Sequence, residues 1–325
     1  MFGALEFKGN DVAVVERYPS FEGSNIATGI GFKHLMYMAE EAVIQYFRER
    51  GLGPQFLYET YGLGLEVVHS DARLLIGINL DDLVQVEVRS EAQSEDSDLS
   101  FSIQMFVPRG GKKTRALTGR LKVLFRQDGS RSEPPEELVG HVTAEIDRPM
   151  PVLAPGASLA IRQCLGLTTD RVTTCEAHEG PKTFVWKRRI PYFYCHYNKR
   201  LQHSGYLRLM EEVVDRFLAD CGLSIQTMLE RKRWIPIVTH ARMETWREAF
   251  MEEDVYTALT VESIFKNFTY TARVECYVQR AGELVHTATG RITHGYLEIR
   301  SRREWSLVGF DEATREALGG TGATH

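Results

Sequence analysis

Hydrophobic and polar positions follow one order along the chain, and that order occurs twice. Residues 12–17 and 183–188 alternate between apolar and polar side chains, which predicts a β-strand at the start of each copy. An irregular loop comes next, and then apolar residues recur at helical spacing. The rest of each copy alternates again and predicts antiparallel strands. The apolar positions of the two long helices are Leu35, Met36, Ala39, Ala42, Val43, Tyr46 and Phe47, then Tyr206, Leu207, Met210, Val213, Val214, Phe217 and Leu218.

The two copies align residue by residue. Moving residues 11–125 forward by 171 positions places them on residues 182–296 without a gap. Self-similarity at one fixed offset indicates two copies of one domain. A helix with one apolar face needs a sheet to cover it, so each copy is expected to be an α+β unit. Identical pairs include His69 with His240, Gly51 with Gly222, Arg109 with Arg280, and Glu40-Glu41 with Glu211-Glu212.

The predicted domain order has four parts. An N-terminal domain covers residues 1–126, and a linker with a short helix covers 127–181. A C-terminal domain covers 182–300, and a final helix and tail cover 301–325. The length of 325 residues suits about two domains.

Composition narrows the function classes. Hydrophobic residues make up 43% and charged residues 26%, as in soluble globular proteins. The net charge of -5 gives no reason to expect nucleic-acid binding. No stretch approaches the roughly 20 apolar residues of a membrane helix, so no membrane association is expected. The five cysteines contain no CxxC pair and predict reduced thiols in cytoplasm, with no metal site and no cofactor.

The loop and helix start of the second copy resemble a known family. Residues 194–212 read YCHYNKRLQHSGYLRLMEE. This segment is similar to the signature of hydroxybenzoyl-CoA thioesterases, and the duplication resembles double-hotdog acyl-thioester enzymes, including acyl-ACP thioesterases. The resemblance implies two tandem hotdog domains, each with an antiparallel sheet wrapped around a long helix. It also implies an intramolecular pseudo-dimer that binds acyl-CoA or acyl-carrier protein at its seam. Further homodimerisation is left open.

The signature departs from the family at its main acidic position. With Tyr206 matched to the tyrosine that opens the family's helix, His196 takes the position of the usual aspartate, and Arg200 takes that of the loop histidine. In the first copy Asn25 takes the aspartate position. The family's standard general base or nucleophile therefore has no counterpart here. Some polyketide thioesterases resemble this chain in having Asn there.

Two residues are the predicted catalytic pair. An imidazole such as His196 suits a general base or acid near neutral pH. Glu40 and Glu211 fall within the apolar stripes of their helices, where a carboxylate is costly unless it is paired or functional. The resemblance implies that a helix carboxylate of one unit reaches the loop of the other, which pairs Glu40 with His196. A structural hydrogen bond from each group is the alternative.

The predicted function is hydrolysis of an acyl thioester. Thioesterases of this kind occur in polyketide or fatty-acid metabolism, so the resemblance implies such a context. A hotdog dehydratase or hydratase acting on a 3-hydroxyacyl thioester and a non-catalytic acyl-binding protein are the alternatives. The absence of a Gly-x-Ser-x-Gly elbow argues against an α/β-hydrolase. The predicted substrate-binding residues are Asn25, Asn198, Arg200, His203, Tyr206 and Glu211.

Overall fold

The computed structural model divides into two compact units, Met1–Asp147 and Arg148–His325. The described residues are 11–91, 98–129, 132–150, 156–166, 172–175, 182–195, 198–302 and 304–319. Each unit contains one long helix and an antiparallel sheet, as the two hydrophobic periods predicted.

In the first unit, a five-stranded antiparallel sheet has the order β1-β3-β4-β5-β2, and the short β6 runs parallel to β5. The long helix α1 packs against β1, β2 and β3. Its apolar stripe forms this unit's core. The elements are β1 Val12–Arg17, α1 Phe32–Arg48, α2 Pro54–Tyr61, β2 Leu63–Leu74, β3 Val84–Ser90, β4 Leu99–Arg109, β5 Lys112–Gln127, α3 Glu136–Val139 and β6 Val142–Thr143.

In the second unit, the same five-stranded order recurs as β8-β10-β11-β12-β9. Here β7 adds to the free side of β8, and β13 pairs with the end of β12. The elements are α4 Gly156–Gln163, β7 Val172–Cys175, β8 Thr183–Arg189, α5 His203–Asp220, α6 Ile225–Lys232, β9 Trp234–Thr245, β10 Asp254–Phe265, β11 Thr269–Arg280, β12 Glu283–Ile299, β13 Trp305–Val308 and α7 Glu312–Ala317.

Equivalent contacts in the two units confirm the duplication. A β-bulge occurs in the pairing of β4 with β5, at Met105/Phe106, and in the equivalent pairing of β11 with β12, at Cys276/Tyr277. Three further contacts of the first unit recur in the second at the offset of 171. The ion pair of Arg109 with Asp82 corresponds to that of Arg280 with Glu253, and the ion pair of Arg120 with Glu91 corresponds to that of Arg291 with Glu262. The backbone bridge of Gly29 and Asn79 corresponds to that of Arg200 and Phe250.

A close backbone approach joins the loop before each long helix to the first turn of that helix. In the second unit, the Gln202 amide donates to the Tyr194 carbonyl at 3.2 Å. A Cβ on Gly205 would lie 2.8 Å from that carbonyl oxygen, so this position requires glycine.

The first unit makes the same close approach, but the glycine and the larger residue have exchanged places between loop and helix. The Gly31 amide donates to the Gly23 carbonyl at 2.9 Å. Here the glycine is on the loop, and a Cβ on Gly23 would lie 2.8 Å from the Cβ of His34. His34 is the counterpart of Gly205, and Gly23 is the counterpart of Tyr194. Both units therefore form this junction with one glycine, which lies on the loop in the first unit and on the helix in the second.

Gly205→Ala should destabilise the second unit, although alanine is the better helix former. The added methyl group meets backbone that cannot move without breaking the Gln202–Tyr194 hydrogen bond. We expect a loss of about 1–3 kcal/mol, typical of overpacking. Thermal unfolding followed by calorimetry measures the loss as a lower Tm.

The control for this substitution is Gly77→Ala, because a Cβ at Gly77 meets nothing within 4 Å. Equal Tm values for Gly205→Ala and Gly77→Ala would show that the junction is not tightly packed.

Candidate functional site

The candidate site in the second unit is the loop from Ile190 to Gln202 together with the first turn of α5. The loop begins with a single 3-10 turn, Tyr192–Tyr194, and the junction at Gly205 fixes it against the helix. Gln202, the N-cap residue, makes no side-chain cap hydrogen bond. The amide groups and positive dipole of this helix end suit a developing oxyanion.

Three of the predicted residues line this loop and helix start. Asn198 is buried, and its Oδ1 accepts from the Arg200 amide at 2.8 Å, so its side chain shapes the turn. Arg200 is buried as well, and its backbone pairs with Phe250 in the loop before β10. His203 is the first residue of α5 and is only 3% exposed. These three residues are thus packed into the unit.

Tyr206 lies one turn further along α5, on the face that packs against the sheet. It is only 1% exposed, and burial raises the pKa of its hydroxyl well above the usual value. The phenol therefore stays protonated at neutral pH and acts only as a neutral hydrogen-bonding group.

The expectation that Glu211 faces the core is wrong. Glu211 is exposed, whereas the next residue, Glu212, is half-buried. Glu212 accepts a hydrogen bond from the Tyr194 hydroxyl and forms an ion pair with Arg188 of β8. The apolar residues of the inferred stripe are buried as expected, but Glu211 itself lies at the exposed edge of that stripe, while the loop and β8 provide polar partners for Glu212.

Arg188, Tyr194 and Glu212 form a cluster that the sequence reasoning did not select. Burial, with the hydrogen bond to Glu212 as a second cause, raises the pKa of Tyr194 to about 12. The sequence did hold a signal, because Arg17 and Glu41 of the first copy occupy the positions of Arg188 and Glu212. In the first unit, Glu41 pairs with Arg48 instead.

In the first unit, the equivalent loop is more open. Asn25 is exposed, and its Oδ1 accepts from the Ile26 amide at 3.0 Å, at the start of the 3-10 turn Ile26–Thr28. Ala27 and Thr28 have φ values of 62° and 69°, a left-handed conformation that is strained for both residues. Glu40 is half-buried on α1.

His196 lies outside the described residues, so its role and its pairing with Glu40 stay predictions. Among the described ranges, no group of three or more His, Cys, Asp and Glu side chains is placed to hold a metal ion. Within the same ranges, no helix has the length and apolar character needed to cross a membrane.

Comparison with known proteins agrees with this geometry. Residues 191–318 match the model of the thioesterase-like superfamily, and this stretch contains the loop, α5 and the sheet of the second unit. The match lies within the second unit and covers less than half of the chain. Among curated protein sequences, none matches the chain significantly.

Solved structures resemble the chain over nearly its whole length. A protein assigned as an oleoyl thioesterase, from Lactobacillus plantarum, has a TM-score of 0.58 at 11% identity and covers 89% of this chain and 98% of its own. An acyl-ACP thioesterase from Bacteroides thetaiotaomicron has a TM-score of 0.54 at 12% identity, with coverages of 87% and 97%.

A plant enzyme gives a similar result. The 12:0-ACP thioesterase from Umbellularia californica has a TM-score of 0.56 at 11% identity and covers 94% of this chain and 100% of its own. These likenesses concern the fold. The predicted α+β class with two tandem hotdog domains is confirmed, as is the resemblance to hotdog thioesterases.

Glu212→Gln should destabilise the second unit by about 1 kcal/mol, because it removes the ion pair with Arg188 and weakens the hydrogen bond from Tyr194. Calorimetric Tm measures the effect. Glu211→Gln is the matched control on the neighbouring, exposed position, and we expect a change within about 0.5 kcal/mol. A larger effect at Glu211 than at Glu212 would refute the helix orientation described above.

Proposed function

We propose that the chain hydrolyses acyl thioesters carried by CoA or by acyl-carrier protein. The observation that carries this proposal is the thioesterase-like match over residues 191–318. That stretch includes the loop and the start of α5, where the helix end offers amide groups to a carbonyl oxygen. The tandem hotdog fold supports the same conclusion.

In the proposed mechanism, the first-turn amides of α5 stabilise the oxyanion while water attacks the carbonyl carbon. His196 takes a proton from the attacking water as the new C–O bond forms. The C–S bond then breaks, and the thiol leaves with that proton. Glu40 assists His196, as the resemblance implies. Glu40 is half-buried on α1.

Substrate binding completes the proposal. We assign it to Asn25, Asn198, Arg200, His203, Tyr206 and Glu211, as the sequence predicted. Asn198 acts through the loop, because its side chain is hydrogen-bonded to the Arg200 amide. Exposed Glu211 is the member that the geometry supports least.

Two further parts of the proposal concern the cellular context. Polyketide and fatty-acid metabolism carry acyl groups as thioesters, and the proposed activity fits either. A cytoplasmic location fits Cys164, Cys195, Cys221 and Cys276, because none of these four described cysteines forms a disulfide. The dehydratase alternative receives no support from the family match or from the structures named above.

His196→Ala and Glu40→Gln should each lower kcat for thioester hydrolysis about a hundredfold or more, the usual contribution of a positioned acid or base. The double variant should be little slower than the slower single variant, because residues that act as a unit are not additive. Release of free thiol from an acyl-CoA measures the rates.

The matched control is Glu41→Gln, one position along α1, where the side chain is 45% exposed and paired with Arg48. Its kcat should equal that of the wild type. Unchanged turnover in His196→Ala would remove this residue from the mechanism.

The carrier of the acyl group is tested by presenting one acyl chain on two carriers. Octanoyl-CoA and octanoyl-carrier protein share the phosphopantetheine arm, so contacts to the arm alone predict similar kcat/KM values. A kcat/KM at least tenfold higher for one carrier identifies it as the natural substrate. If the protein hydrolyses neither of the two thioesters, the proposed function is contradicted.

A further inference from the structure

The interior beneath the first turn of α5 is polar, whereas its counterpart in the first unit is apolar. Tyr206 of α5 faces Cys276 and Thr287, and Cys276 is directly opposite Thr257 in the register of β10 and β11. Thr287 occupies the β-bulge of β12. We call Tyr206, Thr257, Cys276 and Thr287 the polar quartet.

The first unit provides an internal comparison at the same four positions. The counterparts, found at the offset of 171, are all apolar and buried. The hotdog unit therefore folds with apolar side chains at these positions, and the fold by itself does not require the hydroxyl groups of the second unit. The counterparts of the quartet are Leu35, Val86, Met105 and Ala116.

Two hydroxyl groups of the quartet are left without a hydrogen bond. Thr287 donates to the Cys276 carbonyl at 3.1 Å. The hydroxyl groups of Tyr206 and Thr257 lie beside Thr287 and the Cys276 thiol, but within the described chain neither reaches normal hydrogen-bond geometry. Tyr206 is 1% exposed and Thr257 is 0% exposed. Buried hydroxyl groups without a partner lower stability, so a partner from outside the chain is expected.

We propose that the polar quartet selects acyl groups that carry a hydroxyl or keto oxygen near the thioester carbonyl. The inference rests on the proposed function, because the quartet lies one turn behind the α5 amides that receive the carbonyl oxygen. The Tyr206 and Thr257 hydroxyl groups both donate and accept, so together they satisfy either oxygen. The first unit, with Leu35 and Val86 at these positions, offers no such contact.

The test uses two thioether analogues of CoA, S-(3-hydroxyoctyl)-CoA and S-octyl-CoA, which cannot be hydrolysed. Isothermal titration calorimetry on the full chain measures both dissociation constants. The wild type should bind the hydroxylated analogue about tenfold more tightly. Tyr206→Phe and Thr257→Val each remove one hydroxyl group without changing the shape of the core, and each should reduce this preference at least threefold.

Tyr270→Phe is the matched control. Tyr270 is another fully buried phenol without a hydrogen bond in the second unit, but it lies beside Cys221 at the opposite end of α5. The Tyr270→Phe variant should keep the tenfold preference for the hydroxylated analogue. Melting curves confirm that each variant is folded.

The proposal is overturned by absent binding, by equal affinities in the wild type, or by a preference that survives Tyr206→Phe. It is also overturned if Tyr270→Phe removes the preference as completely as Tyr206→Phe. Because the analogues report binding alone, loss of the proposed hydrolysis would appear separately, in the assay of thiol release.

Discussion

The close approach between the loop and the long helix is the constraint on which the candidate site depends. A backbone carbonyl of the loop contacts the first helical turn, and only a glycine on one side leaves room for it. The two units satisfy this constraint in opposite ways, with Gly23 against His34 in one and Tyr194 against Gly205 in the other. The position of the loop relative to the helix end is thereby fixed in both units, while the side chains presented there differ.

Because the glycine and the larger residue exchange places, the two units present different side chains on the same backbone arrangement. The large residue on the loop of the second unit is Tyr194, which contacts Glu212 and packs near Arg188. The first unit has glycine there, and its large residue, His34, is on the helix. Beneath the helix the contrast continues, since Tyr206 and Thr257 replace Leu35 and Val86. Divergence between the two copies therefore leaves apolar side chains beneath the helix of the first unit, where the second has hydroxyl groups.

Much of the fold was predictable because the signals are periodic and occur twice. The alternation over residues 12–17 and the helical stripe from Leu35 to Phe47 correspond to β1 and α1, and one offset transfers both to the second unit. The short elements α4 and β7 were not predicted. Ala157, Ala160 and Ile161 of α4 pack on Val185 and Tyr256, so tertiary contacts and not local pattern fix this segment.

The candidate site was only partly predictable. The loop and helix start were located from the motif, but the half-burial of Glu212 and the exposure of Glu211 were not predicted. Two adjacent glutamates differ by about 100° around a helix, and a stripe defined by apolar residues cannot choose between them when a polar partner such as Arg188 lies beside the stripe. The unpartnered hydroxyl groups of the polar quartet were likewise invisible to periodicity, since tyrosine, threonine and cysteine are ordinary core residues.

The central claim is that this chain breaks the C–S bond of an acyl thioester. The most direct measurement incubates the purified wild-type protein with a 3-hydroxyacyl-CoA and records free thiol and enoyl absorbance in one sample. The account predicts that thiol is released in amounts equal to the thioester consumed, without enoyl absorbance. Enoyl absorbance without thiol, or no consumption of this thioester or its unsubstituted counterpart, would contradict it.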